Sequence, residues 1–203
     1  MDGLGESLKA SSNCRPKKDW AFPPRPSTHF VRWITPSYFN RDHIAISSEA
    51  GAVLNTHDYG KTWKDRPEES PINVHTLLMH PKAPNRLYAA NGDESLRKGH
   101  SYAESHDEVT SWVYMSEGLD AHPYLYNMVI HPENPNDRLV SASRIASYAH
   151  GSKRYSTIYR KIDDEPWVEV AEGLLKEQAY THHLANDQRL TTPSNRRTPY
   201  ASI

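Results

Sequence analysis

The sequence has only one cysteine, Cys14, in 203 residues, so no disulfide bond can form within the chain. A lone cysteine is typical of proteins in a reducing compartment. Residues 1–12 contain no apolar segment like the core of a signal peptide, which makes a cytoplasmic location the expectation. No apolar run approaches the roughly 20 residues that a membrane-spanning helix needs, so we expect no membrane partner.

A strong net charge and the common nucleotide-binding motifs are also lacking. The formal net charge is -1, which does not favour binding to nucleic acid, so we expect no nucleic-acid partner. The sequence has no glycine-rich phosphate loop, no Cys-x-x-Cys pair and no serine-centred nucleophile elbow. We therefore expect no cofactor.

Long apolar and helical segments are missing as well. Hydrophobic residues make up only 36% of the chain, a low share for a globular domain. No stretch keeps a helical period; residues 170–180 come nearest, and Gly173 interrupts them. Instead, apolar runs of about 4–6 residues lie between Pro, Asn, Asp and Gly, which predicts β-strands. These runs include 74–79, 87–90, 112–115, 128–130 and 139–142.

What the sequence does contain is a recognisable octet at residues 56–63. Its Thr56, Asp58, Gly60, Thr62 and Trp63 fit the pattern Ser/Thr-x-Asp-x-Gly-x-Thr-Trp. The aspartate can accept hydrogen bonds from the backbone N–H groups that follow it. The glycine supplies the positive φ of a tight turn, and the tryptophan places a large ring beneath that turn. We predict a β-hairpin corner here, with the tryptophan buried.

A second octet at residues 105–112 has the same spacing. Ser105, Asp107, Ser111 and Trp112 stand where the first octet has Thr, Asp, Thr and Trp, and Val109 replaces the glycine. A β-branched residue is strained at positive φ, so this corner is expected to be remodelled or poorly formed. The tryptophan of a more degenerate third copy is Trp167.

A second repeated phrase runs in phase with the octets. Residues 79–89 read Met-His-Pro followed by Pro-Asn-Arg-Leu-Tyr-Ala, and residues 130–140 repeat the phrase with Ile-His-Pro and Pro-Asn-Asp-Arg-Leu-Val. The octet tryptophans are 49 residues apart, and the His-Pro prolines are 51 residues apart. About four short strands per unit at this period is typical of a β-propeller blade.

The two octets and the repeated phrases resemble those of the Asp-box (bacterial neuraminidase repeat) β-propellers. That family includes sialidase-like proteins, sortilin-type receptors, xyloglucan-cleaving enzymes and a photosystem assembly factor. The resemblance covers roughly residues 20–185 and implies an all-β fold with about three blades of four antiparallel strands. It also implies that the boxes lie at the periphery of the blades, away from the central ligand face.

The domain organisation predicted from the repeat is a partial propeller over residues 20–187, with blades at about 28–72, 73–123 and 124–187. Residues 1–19 are expected to be a polar, mobile lead-in. Residues 188–203 are expected to be a polar tail that is disordered or out of register. Since propellers close with about 4–8 blades, we expect a truncated or frame-shifted product or, alternatively, a half-propeller that self-associates through its open blade edges.

Candidate ligand-binding residues follow from the predicted inner strands. His29 and His75 precede apolar runs that should form the inner strands of two blades, and Tyr126 has a comparable place in the next blade. Such residues can line the channel mouth and contact a glycan or protein ligand; solvated residues with no role fit the pattern equally. His80 and His131 recur before a proline and are predicted to be turn residues, so we expect no metal site.

Catalysis has weaker support. The Arg-Ile-Pro motif that carries the first catalytic arginine of sialidases is absent, and Arg86 and Arg138 lie in the repeated phrase, where surface turns are expected. Hydrolysis by paired carboxylates needs two opposed acids, but Asp58 and Asp107 belong to the corners. The loop acids Glu49, Asp93 and Glu94 are secondary candidates. We predict a non-catalytic ligand- or protein-binding scaffold, or a fragment of one; the alternative is a sialidase-like or other glycoside hydrolase whose catalytic blades are missing.

Overall fold

The computed structural model describes residues 30–49, 51, 53–95, 97–151, 153–177 and 184–185. These residues form three antiparallel sheets in chain order. Sheet 1 contains β1 (Val31–Pro36), β2 (Ile44–Ser48) and β3 (Val53–Thr56). Sheet 2 contains β4 (Val74–His80), β5 (Ala83–Asn91), β6 (Tyr102–Ser105) and β7 (Val113–Tyr114). Sheet 3 contains β8 (Tyr124–His131), β9 (Asn134–Ser143), β10 (Thr157–Ile162) and β11 (Val168–Glu169).

Each sheet is a meander in which consecutive strands are neighbours. In sheet 1 the fourth strand is reduced to a single bridge between Asn55 and Lys64. Pro67, three residues after Lys64, lacks the N–H that a longer ladder would use. The prediction of short antiparallel strands is confirmed for sheets 2 and 3 in full and for sheet 1 with this difference.

Helices are short in the described part of the chain. A 3₁₀ turn spans Asp93–Ser95, and a five-residue helix, α1, spans Ala146–His150. The segment 170–177, the nearest to a helical pattern in the sequence, is not helical. None of the helices in these ranges has the length and apolar character needed to cross a membrane.

The core lies in two layers, one on each face of sheet 2. On β5, Leu87 and Ala89 pack toward sheet 1, whereas Tyr88 and Ala90 pack toward sheet 3. Side chains alternate between the two faces of a strand, so both faces of this sheet are apolar. The middle one of three stacked sheets buries both of its faces, so its strands need apolar residues on both faces.

Side-chain hydrogen bonds join the first strands of neighbouring sheets. The Thr35 hydroxyl donates to the Leu77 carbonyl at 2.5 Å, and the Thr76 hydroxyl donates to the Tyr126 carbonyl at 2.8 Å. His80 accepts the Lys82 N–H at Nδ1 (3.1 Å), which leaves Nε2 to donate to the His131 carbonyl at 3.0 Å. His80, the last residue of β4, therefore bonds both to the turn that follows β4 and to sheet 3.

The first octet forms a tight hydrogen-bonded corner. One carboxylate oxygen of Asp58 accepts the Thr62 N–H at 2.8 Å, and the other accepts the Thr62 hydroxyl at 2.6 Å. The Thr56 hydroxyl donates to Asp58 at 2.7 Å and accepts the Gly60 N–H at 2.9 Å. Gly60 has φ 85°, so the turn uses the positive φ that glycine adopts without strain.

The second octet repeats this geometry, and the expectation of a remodelled corner is wrong. Asp107 accepts the N–H and hydroxyl of Ser111 at 2.8 and 2.7 Å, and Ser105 accepts the Val109 N–H at 2.9 Å. Val109 adopts φ 77°. Its side chain is only 3% exposed and packs in the core between sheets 1 and 2 with Trp112. Burial of a valine stabilises by about 1.5–3 kcal/mol, which is comparable with the cost of the strain.

The three octet tryptophans differ in burial. Trp167 is 3% exposed and Trp112 is 9% exposed. Trp63 is only half-buried, against Leu54 and Ile46, so the prediction that it is buried beneath its corner holds only in part. In the described residues no sheet covers the outer face of sheet 1, whereas Trp167 lies in the core layer between sheets 2 and 3.

The expectation that Arg86 and Arg138 are surface turn residues is also wrong. Arg138 is fully buried, and the Arg86 side chain is 14% exposed. Both guanidinium groups contact the fully buried carboxylate of Glu104, Arg138 at 3.0 Å and Arg86 at 2.5 Å. The Tyr102 hydroxyl donates to the same carboxylate at 2.5 Å. Two cations between stacked sheets are possible because this anion compensates them.

The hydrogen bonds of the first octet lead to a pH prediction. Bonds from the Thr62 hydroxyl and backbone, then from Thr56, lower the pKa of Asp58 to about 2. The ordinary value is about 3.9, so this carboxylate stabilises the fold fully above that value and the contribution is lost as pH falls toward 2. We expect Asp58→Asn to destabilise the chain at pH 7, with the difference from the parent shrinking between pH 5 and pH 2. Urea midpoints followed by tryptophan fluorescence measure this.

The exposed Asp120 lies outside both octets, so Asp120→Asn controls for removal of one negative charge. A gap between the parent and Asp58→Asn that stays constant from pH 5 to pH 2 would contradict the prediction.

Candidate ligand-binding site

The two ends of the sheets differ in character. Strands β1, β4 and β8 begin at one end, here called the upper end, and the loops that follow β2, β5 and β9 lie beside them because Ser48, Asn91 and Ser143 pair with Val31, Val74 and Tyr124. The octets lie at the opposite, lower end, since Thr56 pairs with Ile44 and Ser105 with Leu87. The upper end is therefore free of the structural corners.

Five side chains from all three sheets meet at the upper end. This aromatic cluster consists of Arg32, His75, Tyr124, Tyr126 and His150. The His75 ring lies 4.9 Å from the Tyr124 ring and 5.5 Å from the Tyr126 ring, centroid to centroid. His150, from α1, packs edge-on against Tyr126 at 4.7 Å and against Tyr124 at 5.8 Å.

His75 is the buried centre of the aromatic cluster. It is 2% exposed, and its Nδ1 lies 2.5 Å from the Leu125 carbonyl, so Nδ1 carries the proton that is donated there. Its Nε2 is left as an acceptor, 3.4 Å from the Tyr124 hydroxyl. Burial lowers the pKa of His75 to about 4, with smaller contributions from Arg32 and His150. The imidazole is therefore neutral at pH 7 and acts as a fixed hydrogen-bonding group.

The Tyr124 hydroxyl bridges two histidines. It lies 3.4 Å from His75 Nε2 and 3.3 Å from His150 Nε2. Burial raises the pKa of Tyr124 to about 12, which Arg32 partly opposes. The hydroxyl stays protonated and can donate to only one histidine at a time. Partial burial and the nearby Arg32 both lower the pKa of His150, and Glu49 partly opposes this.

Arg32 gives the aromatic cluster its positive charge. Its guanidinium carbon lies 4.9 Å from the centre of the Tyr126 ring, a cation–π distance. Its Nη1 is 3.4 Å from a carboxylate oxygen of Glu49, and the Arg32 and Glu49 side chains are 26% and 22% exposed. The site therefore offers aromatic faces with one cation and one anion at its rim.

Gly92 allows the aromatic cluster to pack. A Cβ at this position would lie 2.6 Å from a His75 ring carbon, 2.7 Å from the Asn73 amide nitrogen and 2.8 Å from a Tyr124 ring carbon. The Gly92 N–H donates to the Asn73 carbonyl at 2.9 Å, which fixes the backbone in place. No residue larger than glycine fits here without moving those rings.

We expect Gly92→Ala to destabilise the chain by about 1–3 kcal/mol because the extra methyl overpacks a fitted site. The near-UV circular dichroism of the tyrosines should change, since Tyr124 must shift. Gly99→Ala is the control, because Gly99 also lies in the β5–β6 loop but has nothing within 4 Å of its Cβ position. Gly99 has φ 81°, so this variant reports the cost of positive φ without any overpacking. A tyrosine signal unchanged in Gly92→Ala would contradict the prediction.

The structure brings together two of the three residues predicted from the sequence. His75 and Tyr126 are neighbours in the aromatic cluster. His29 lies outside the described residues. The ligand-binding roles of all three stay predictions. Arg32, Tyr124 and His150 were not among the residues predicted from the sequence. The Tyr-x-Tyr spacing of residues 124 and 126, which points two side chains to one side of a strand, was the signal that could have revealed Tyr124.

The three loop acids at the upper end differ in their contacts. Asp93 is fully buried and accepts the N–H groups of Ile72 and Asn73 at 2.8 and 2.5 Å, so it anchors its loop. Burial raises the pKa of Asp93, and these two bonds oppose the rise. Glu94 accepts the Gly99 N–H at 2.6 Å. Glu49 is the one of the three that contacts the aromatic cluster.

A shallow cavity of about 240 Å³ lies at the upper end, between the β5–β6 loop and the segment that enters β8, and no residue of the aromatic cluster is among its lining residues. Glu94, Glu117 and Asp120 are among its lining residues. It is smaller than the roughly 300–1,000 Å³ of most small-molecule pockets. The aromatic cluster is therefore the stronger site candidate.

Comparison with known proteins identifies the fold. No protein-family model matches the sequence, and no curated protein matches it. Among solved structures, an ancestral GH74 enzyme is similar with a TM-score of 0.59 and 11% identity, over 78% of this chain and 20% of that chain. The GH74 xyloglucanase from Xanthomonas campestris is similar with a TM-score of 0.52 and 13% identity, over 72% of this chain and 24% of that chain. The structure of YCF48 bound to D1 peptide has a TM-score of 0.47 and 12% identity, over 72% of this chain and 40% of that chain.

The three sheets are blades of a β-propeller. The predicted all-β propeller fold with about three recognisable blades is confirmed. The chain spans a fifth to a quarter of the length of the two GH74 enzymes. In a propeller the first strand of each blade is innermost, so β1, β4 and β8 are the inner strands, and the aromatic cluster lies at their upper end. The predicted blade boundaries and the link to the Asp-box family stay predictions.

Proposed function

We propose that the protein is a non-catalytic β-propeller of the Asp-box type that binds an oligosaccharide at the aromatic cluster. The observation that carries the proposal is the meeting of Tyr124, Tyr126 and His150 around the neutral, buried His75, with Arg32 and Glu49 at the rim. The Asp-box assignment is supported by the corners, in which Asp58 and Asp107 each accept two hydrogen bonds from the residue four positions later.

The chemistry of the aromatic cluster suits a sugar. A pyranose ring presents a face of C–H groups that packs against an aromatic ring, and its hydroxyl groups need a few fixed hydrogen-bonding partners. Tyr126 provides a half-buried ring, and Arg32 and Glu49 are a donor and an acceptor beside it. The inter-ring contacts hold these groups in place before a ligand arrives, which reduces the entropy lost on binding.

The contacts of the acidic residues support a non-catalytic role. A glycoside hydrolase of the usual kind needs two opposed carboxylates, about 5–9.5 Å apart, facing the substrate. Asp93 is buried under two backbone N–H groups, and Glu94 caps its own loop. Glu49 is paired with Arg32. In the described part of the upper end, no second carboxylate is placed opposite Glu49 across the aromatic cluster.

The test is calorimetric titration of the chain with a xyloglucan heptasaccharide, a ligand suggested by the xyloglucanase name of one similar structure. We expect saturable binding that Tyr126→Ala weakens about tenfold or more, equivalent to about 1.4 kcal/mol. Tyr59→Ala is the matched control, because Tyr59 is 65% exposed in the first octet at the lower end. The same mixtures, and a fluorogenic sialoside, should yield no hydrolysis products.

The outcomes separate the alternatives. Hydrolysis above that of Tyr126→Ala would contradict the non-catalytic role and favour a glycoside hydrolase. Binding of peptides with no binding of oligosaccharides would contradict the ligand class and favour the protein ligand. Binding that both tyrosine variants weaken equally would show that the site lies elsewhere.

Self-association through an open blade edge is a further prediction. In sheet 1, Val31 and Ile34 of the innermost strand are 56% and 62% exposed. Apolar side chains at the edge of a sheet favour pairing with a second copy. We expect sedimentation velocity to show a dimer that grows with concentration and that Ile34→Lys weakens. A monomer across the whole concentration range would contradict this.

A further inference from the structure

Three side chains of the kind that bind metals meet at the lower end, between the first and second blades. They are His43 in the turn between β1 and β2, His57 in the first octet and Glu108 in the second octet. Their candidate ligand atoms all lie within 4.8 Å of one another. His43 Nδ1 is 3.8 Å from a Glu108 carboxylate oxygen, and the two imidazole rings stack with centroids 4.3 Å apart.

The backbone around these side chains is tied together across the blades. The Tyr59 N–H donates to the Asp42 carbonyl at 3.0 Å, which holds the first octet against the β1–β2 turn. The Asn55 amide donates to the Glu108 carbonyl at 3.1 Å, which holds the second octet against the first blade. The three Cα positions are therefore fixed by contacts that do not depend on the side chains themselves.

The buried His43 imidazole has no hydrogen-bond partner among the described residues. It is 1% exposed, and neither Nδ1 nor Nε2 has a hydrogen-bond partner. Burying an unsatisfied polar group costs free energy, so such a group usually serves a purpose. Burial lowers the pKa of His43, His57 lowers it further, and Glu108 partly opposes this.

We propose that His43, His57 and Glu108 bind one divalent transition-metal ion of the Zn²⁺ type. Two imidazoles and one carboxylate are a common zinc set, with a fourth position left for water. Ca²⁺ and Mg²⁺ prefer oxygen ligands and are not expected to compete. With bonds of about 2.0–2.1 Å a tetrahedral ion brings its ligand atoms to about 3.4 Å apart. The exposed His57 and the Glu108 side chain, 35% exposed, have the freedom to close that distance.

Such an ion would clamp the first blade to the second. Two of its ligands come from the first blade and one from the second, so the bond crosses the interface that the octets already join. The site is at the opposite end from the aromatic cluster and goes beyond the proposed ligand-binding function. Failure of an oligosaccharide to bind would not contradict the metal site. Failure of a metal ion to bind would not contradict the oligosaccharide site.

The test is titration of the chelator-treated full chain with ZnCl₂. We expect one Zn²⁺ per chain by calorimetry. The melting temperature should rise by about 5–10 °C when free Zn²⁺ is about a hundredfold above its dissociation constant. MgCl₂ and CaCl₂ should leave the melting temperature unchanged. A chain that Zn²⁺ does not bind, or stabilises no more than Mg²⁺ does, would overturn the proposal.

Variants locate the site. His57→Ala and Glu108→Gln should each weaken Zn²⁺ binding by more than the roughly 10- to 100-fold that loss of an outer-shell partner costs. His106→Ala is the matched control, because His106 is exposed and has the same octet position as His57. Binding that is unchanged in His57→Ala and Glu108→Gln would overturn the proposal. Histidine NMR of the parent chain gives a check without variants: Zn²⁺ must shift the His43 and His57 ring signals, and shifts confined to other histidines would contradict the site.

Discussion

Glu104→Ala should lower the free energy of unfolding by about 3–5 kcal/mol, the usual cost of removing one partner from a buried ion pair. The carboxylate is fully buried and lies 3.0 Å from the Arg138 guanidinium and 2.5 Å from that of Arg86. Without it, the fully buried Arg138 loses its counter-charge and keeps only backbone and tyrosine acceptors. In a domain of ordinary stability, such a change removes a large fraction of the total free energy of unfolding.

A double-mutant cycle distinguishes the ion pair from simple packing. Glu104→Leu with Arg138→Met replaces the two fully buried charges by apolar side chains of similar size, and such replacements are often neutral. Arg86, whose side chain is 14% exposed, keeps its hydrogen bond to the Asn136 amide oxygen. We expect the double variant to be more stable than either single variant, as measured by urea unfolding. The exposed pair of Lys82 and Glu133 is the control: Glu133→Ala should leave the urea midpoint nearly unchanged. Additive losses in the cycle would show that Glu104 and Arg138 are not coupled.

Trp167→Ala should destabilise the chain by about 3–5 kcal/mol, the range for removing a fully buried aromatic side chain. Trp167 is 3% exposed and meets the Tyr102 ring edge-on at 4.9 Å. Its indole Nε1 donates to the Met115 carbonyl at 2.9 Å, which joins the third blade to the second. The substitution removes this bond and leaves a cavity in the core layer between those blades.

Trp63→Ala is the matched comparison, because Trp63 has the same octet position but is only half-buried. The loss of unfolding free energy should be clearly smaller in Trp63→Ala than in Trp167→Ala, because the folded parent buries less of the Trp63 side chain. Urea unfolding followed by far-UV circular dichroism measures both variants without relying on the tryptophans themselves. An equal or larger loss in Trp63→Ala would show that the first blade is more enclosed than its described neighbours indicate.

Features that depend on near neighbours in the chain were predictable from the sequence. The octet pattern placed Asp58 as an acceptor at the first turn, because the bonds it makes reach only four residues along the chain. The second turn was expected to be remodelled, and the core packing of Val109 that accompanies its regular form is not a local feature. The apolar runs at 74–79 and 128–130 were expected as strands, and both are strands. The period of the repeats then indicated blades stacked side by side.

Part of the candidate site was also predictable. The place of His75 and Tyr126 at the start of inner strands followed from the repeat, and the structure puts their rings 5.5 Å apart. His150 could not be found in this way, because α1 has five residues and is too short to show a period. The tight fit of Gly92 against His75 and Tyr124 also has no local signal, since those residues are 17 and 32 positions away.

The sequence by itself determined the first corner, the strands and the repeat, because each rests on interactions within a few residues or on a period that recurs. Only the tertiary structure decided what the repeated positions become between blades. There Arg138 is buried together with the carboxylate of Glu104, which lies on another strand. Val109 keeps its positive φ while its side chain packs in the core. His43 lies close to His57 and to Glu108 of the next blade. Each outcome depends on which surface lies opposite once the sheets stack, and burial and charge pairing across that interface are not encoded in the local pattern.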